Sequence, residues 1–232
     1  VMKRILNVAR IHNTSWATTF AWPLGILAIV FVVTYGLFSV VPDTESESNF
    51  TGGVFAVYGF ALAFYLSAIT QVFPYALGLS ITRREFLSAT ALVGIAQSVA
   101  IGTIIYVLSA VESATGGFGK KIRMFGIARA ATDNPVLQWA ALVTGLLVIG
   151  GIGAFIGVVY RRYRVNGLFT LGLGALVFFG GGSILVTWQR WWPNIGTFFT
   201  DTPRILLLVV IPLLITGALA AASWFGLLKA SA

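Results

Sequence analysis

The stretch L77-G-L-S-I-T-R-R-E-F-L-S-A-T90 decides the fold. Three adjacent charges, Arg83, Arg84 and Glu85, interrupt apolar sequence that continues for some twenty residues on either side. A transmembrane helix needs about 20 predominantly apolar residues. A charged gap between two such runs therefore reads as the turn between two membrane spans. The whole chain supports that reading. Its 232 residues are 58% hydrophobic and only 9% charged, whereas a soluble domain carries roughly a quarter charged residues.

Six segments meet the length and polarity criteria: residues 20–41, 53–79, 88–111, 135–160, 167–188 and 205–228. Each core lacks Asp, Glu, Lys, Arg and His. With an even number of spans both termini lie on one side. That side collects Lys3, Arg4, Arg10, Arg83, Arg84, Arg161, Arg162, Arg164 and Lys229, with Glu85 as its one acid; the opposite side carries six bases and six acids. Basic residues favour the cytoplasmic side, so the termini are expected in the cytoplasm. The net charge of +8 is then a topology signal, and no nucleic-acid partner is implied.

Chemistry is bounded by absence of residue types. There is no cysteine and one histidine, His12, so thiolate catalysis and Cys- or His-based metal clusters are excluded. No metal site and no catalytic residue are expected. The run "GGFGKK" (116–121) lacks the GxxxxGK[ST] spacing of a phosphate-binding loop. Tyr35, Gln71, Gln97 and Tyr106 are the polar side chains within spans, and each reads as a helix–helix hydrogen bond.

Several segments flank the spans. In residues 3–18, Lys3, Asn7, Arg10 and Thr14 make one polar stripe, which reads as an amphipathic helix on the membrane surface with Trp16 at headgroup level. In the loop 112–135, Phe118, Ile122, Phe125 and Ile127 with Lys120, Lys121 and Arg123 suggest a short interfacial helix. Residues 188–203, "WQRWWPNIGTFFTDTP", are too aromatic for a free loop and suggest a re-entrant or interfacial helix broken by Pro193. Gly153 and Gly157 form a GxxxG pair that favours close helix packing. Gly180–Ser183, "GGGS", is a candidate for local loosening of the fifth span.

At the opening stretch, Thr82 and Glu85 stand three apart and match a capping box, with Ser80 the other candidate cap. A short helix over 80–88 is expected, presenting Arg83, Arg84, Glu85 and the ring of Phe86 outward. Arginine and aromatics are enriched where a few side chains carry an interface, so this tip is a candidate docking site for a soluble protein.

The six-span pattern, the amphipathic entry segment, "FPYALGLSITRREFLSAT" (73–90) between spans two and three, and "ESATGGFG" (112–119) together resemble the bacterial ABC-2 type transmembrane subunits of ATP-binding cassette transporters. The topology covers the whole chain; the motif likeness covers those two stretches. The resemblance implies an all-α membrane protein: one six-span domain over 1–232, an amphipathic elbow helix over 3–18, a cytoplasmic coupling helix over 80–88, and a re-entrant or interfacial segment between spans five and six. It implies a translocation subunit, an exporter in a bacterial plasma membrane, that is not itself an enzyme. The chain would bind no cofactor; two copies of a separate ATPase subunit would bind ATP and Mg. Ser80, Thr82, Arg83, Arg84, Glu85 and Phe86 would contact the ATPase. A second copy or a homologous membrane subunit would complete the path, and Phe64, Tyr65, Phe178 and Phe179 are candidate lining residues. The competing reading is a six-span immunity or sensor protein without transport.

Overall fold

A computed structural model describes residues 17–40 and 49–228. The polar stripe of the expected elbow helix, at positions 3, 7, 10 and 14, lies outside the described residues. The helices are α1 (Trp22–Val40), α2 (Phe55–Ser67), α3 (Phe73–Gly78), α4 (Arg83–Ala114), α5 (Pro135–Leu176), α6 (Gly182–Trp188), α7 (Trp192–Asp201) and α8 (Ile211–Leu228). Two short strands, β1 (Asn49–Phe50) and β2 (Ile122–Arg123), pair in parallel and tie the loop after α1 to the loop after α4. Five continuous helical stretches are long and apolar enough to cross a membrane: Thr19–Val40, Phe55–Gly78, Arg83–Ala114, Pro135–Trp188 and Leu206–Leu228. The chain is an all-α membrane protein.

The fourth stretch contains the fourth and fifth expected spans. Helical geometry is interrupted within it at Arg164 (φ 56°, ψ −146°), a conformation uncommon for a residue with a side chain. The break falls in the "RRYR" run between the two apolar segments.

The N-terminal half of α5 is the hub. It packs against α2, α4 and α8. Glycines set the closeness of the α2 contact. A Cβ on Gly150 would meet the Tyr65 ring, one on Gly153 the Leu62 carbonyl, and one on Gly157 the Ile69 side chain. The glycines at 153 and 157 thus do what small residues do between membrane helices: they let backbones approach. By contrast, added Cβ atoms at Gly172, Gly174 and Gly180–Gly182 meet nothing within 4 Å. No residue between Gly167 and Ser223 is buried, so the fifth apolar segment stands on the flank of the bundle.

Prolines shape the helices. Pro23, Pro74 and Pro212 each follow a π-helical turn, at Ala17–Ala21, Ala68–Val72 and Leu206–Val210. Proline has no N–H, and its ring crowds the carbonyl four residues back; a local widening relieves the clash. The carbonyl left without a helical donor then needs another one, because lipid offers none. At Pro23 that carbonyl belongs to Thr19, and Gln97 Nε2 of α4 donates to it at 2.9 Å. At Pro212 it belongs to Leu208, and Thr144 Oγ1 of α5 donates to it at 2.8 Å. Gln97 Oε1 in turn accepts from the Tyr65 hydroxyl at 2.7 Å. All three side chains are buried, and their polarity is accounted for. Of the other polar residues expected to bond between helices, Tyr35 and Gln71 are exposed.

Two expectations about loops are corrected. Residues 117–121 do not form an amphipathic helix: Gly117, Phe118, Gly119 and Lys121 have positive φ, which a right-handed helix excludes. Ile122, Met124 and Phe125 are buried in the core with Leu27, Val54 and Ile105. Pro193 does not break a helix; it sits in the first turn of α7, where its missing N–H has no intrahelical partner to lose.

Candidate functional site

The turn between α3 and α4 contains no separate helix over 80–88. Helix α3 ends in a Schellman motif: Ser80 adopts φ 61°, its N–H donates to Leu77 O at 3.0 Å, and Ile81 N–H donates to Ala76 O at 3.2 Å. Helix α4 starts at once, with Thr82 as N-cap. Glu85 N–H donates to Thr82 Oγ1 at 3.3 Å, and Thr82 N–H donates to Glu85 Oε2 at 3.0 Å. This is the capping box expected from the sequence. Residues Arg83–Ser88 are therefore the first turns of a 32-residue helix. A four-residue link, Leu79–Thr82, with both helix ends satisfied leaves little room for an extra element.

The six expected contact residues divide in two. Arg83 Nη1 donates to the carbonyls of Leu227 and Leu228, each at 3.0 Å, and so caps the C-terminus of α8 with a cation. Phe86 does not face outward: it is 1% exposed and packs edge-to-face on Phe73 at 5.2 Å. It joins Ile69, Ala76, Leu87, Val158 and Leu227 in one cluster. Ser80, Thr82 and Arg84 are exposed. Residue type alone pointed to an aromatic tip. The position of Phe86, three residues inside the helix on the face of Arg83, turns the ring inward.

Further arginines gather at this end. The Arg161 guanidinium lies over the Phe73 ring at 5.8 Å, a cation–π arrangement, while its Nε is buried without a hydrogen-bond partner. Arg162 and Arg164 follow and are exposed. The result is a braced turn carrying exposed Arg84, with Arg161 packed on the aromatic cluster beneath it and exposed Arg162 and Arg164 following Arg161 along the chain.

The candidate path residues are not assembled. Tyr65 is buried and hydrogen-bonded. Phe178 and Phe179 are 73% and 71% exposed. Ring contacts link Phe64 to Phe60 and Tyr65, and Phe178 to Phe179, with none between the two pairs.

At the other end of α4, Glu112 explains the "ESATGGFG" stretch. Its buried carboxylate accepts the backbone N–H groups of Met124 and Phe125 on Oε2 at 2.8 and 2.7 Å, and that of Gly126 on Oε1 at 3.1 Å. A Cβ at Gly126 would crowd Oε1, and one at Gly117 would collide with the Ile122 backbone. Thr115 Oγ1 accepts from Phe118 N–H at 3.1 Å. The motif is a loop clamp.

No family model matches the chain, and no curated protein or solved structure is similar to it.

Proposed function

We propose that the chain is the membrane-spanning subunit of an ABC-2 type exporter, with six spans and cytoplasmic termini in a bacterial plasma membrane. In this reading it is driven by two copies of a separate ATPase subunit that bind ATP and Mg. The observation that carries the reading is the α3–α4 turn. It is braced by a Schellman motif, a capping box and the Arg83 tie to α8; it carries exposed Arg84, and Arg161, from the run that continues with exposed Arg162 and Arg164, lies over the Phe73 ring of α3. A rigid basic knob suits an acidic groove on a soluble motor. The contact then runs through Ser80, Thr82 and Arg84, while Arg83, Glu85 and Phe86 hold the turn in shape.

The open flank formed by residues 165–188 supports a second membrane subunit. Its large apolar side chains are mostly exposed, and Cβ atoms added at Gly172, Gly174 and Gly180–Gly182 would meet nothing within 4 Å. A second copy or homologue seated there would bring Phe178 and Phe179 toward a shared path, and α7 would lie as the interfacial segment. The test is affinity purification from native membranes. An ATPase should co-purify, and Arg84→Gln should reduce its recovery about tenfold while membrane expression holds. Recovery of the intact chain with no ATPase bound would leave the immunity or sensor reading instead.

A further inference from the structure

A cleft of about 380 Å³ opens at the end of α4 opposite the arginine turn. The two lie about 43 Å apart along the helix at 1.5 Å per residue. Among the described residues, Lys121, Arg123 and Arg129 line the cleft, and Glu112 is the one acid on its wall. Three cations against one carboxylate leave the described lining with an excess of two positive charges. Both oxygens of Glu112 are already occupied by the backbone N–H groups of residues 124–126. Arg129 has its Nη2 anchored to the Ser109 carbonyl at 3.3 Å, while its Nε is buried with no partner. The side chains of Lys121 and Arg123 are exposed at the rim. A buried guanidinium donor left open in a wall that is net positive lacks an acceptor, and desolvated donors are costly to leave unmet.

From this geometry we infer that the cleft is a binding site for a phosphate-class oxyanion. Arginine presents planar, paired donors that match phosphate oxygens, and such charge-assisted bonds are the strong ones. The phosphate has two sources: free in solution, or the headgroup of an anionic lipid. The second is open because the far side of the same loop borders an apolar groove of about 200 Å³, where Phe118 and Phe125 face Leu27 and Phe31 of α1.

The experiment uses the full chain and needs no ATPase, so its failure is independent of the transporter reading. Thermal unfolding is followed in neutral detergent with sodium phosphate against sodium chloride at matched ionic strength. In parallel, it is followed in phosphatidylcholine nanodiscs with and without phosphatidylglycerol. A ligand that binds only the folded state raises the midpoint saturably. A rise with phosphate assigns the free anion, and a rise with phosphatidylglycerol alone assigns the headgroup. Lys121→Gln with Arg123→Gln, both at the exposed rim, should weaken the response about tenfold. Arg129→Lys keeps the charge but loses the fork, and should weaken it as well. No saturable response in either arm overturns the inference. So does a response that the rim double variant and Arg129→Lys leave unchanged.

Discussion

Replacing Gln97 with leucine conserves much of the volume and removes both polar ends at once. The Tyr65 hydroxyl and the Thr19 carbonyl then lose the partners they hold at 2.7 and 2.9 Å. In a soluble core, each orphan costs about 1–3 kcal/mol. In a bilayer, interhelical hydrogen bonds average nearer 0.6 kcal/mol each, because the separated helices find other partners. For the two groups together the limits bracket a predicted loss of about 1–6 kcal/mol. The decisive variant is Pro23→Ala. Alanine returns the N–H that Thr19 O lacks, so part of the Gln97 effect should vanish in that background. We expect Gln97→Leu to cost about 0.5–1 kcal/mol less on Pro23→Ala than on the wild type. Reversible unfolding in mixed micelles, run as a double-mutant cycle, measures this. Additivity within about 0.3 kcal/mol would refute the idea that Gln97 serves the proline-freed carbonyl.

Thr144→Val should behave likewise, with its cost of about 0.5–1.5 kcal/mol reduced on a Pro212→Ala background, checked by the same unfolding assay. Phe86→Ala removes a buried ring and should cost about 3–5 kcal/mol, lowering folded yield on gel filtration; wild-type yield would contradict its packing role. Ser80→Gly should raise the unfolding midpoint, since a left-handed residue with a Cβ costs about 1–2 kcal/mol; a lower midpoint would count against the Schellman geometry. Reporter fusions after Leu228 and within residues 43–47 should report opposite sides of the membrane, and identical reports would sink the six-span topology.

What could be read in the sequence was whatever is local. The apolar runs appear as helices, and Thr82–Glu85 form their capping box, because both are set within a few residues. Gln97 was legible as an interhelical bond, but its partner was not. The usable signal was Pro23, whose place fixes Thr19 as the carbonyl in need. Tyr35 and Gln71 carried the same polar label, and they face outward. Phe86 was misplaced because its orientation depends on α3 folding back through Ser80, a serine where glycine is the usual marker. The basic cleft was invisible: Lys120, Lys121 and Arg123 looked like an amphipathic pattern until Gly116, Gly117 and Gly119 turned the loop left-handed, and Arg129 carried no signal in the sequence.

The tie between Arg83 and the last two carbonyls of α8 has a practical corollary for anyone handling the protein. Anything fused after Leu228 leaves the bundle within a side chain's reach of Thr82, beside the proposed motor-binding knob. A bulky fluorescent or affinity partner on a short linker there should hinder ATPase recovery while membrane expression stays normal. Lengthening the linker to some thirty flexible residues, which spans roughly 30 Å, should restore it. If linker length makes no difference, the end of α8 and the α3–α4 turn are not neighbours in the assembled complex.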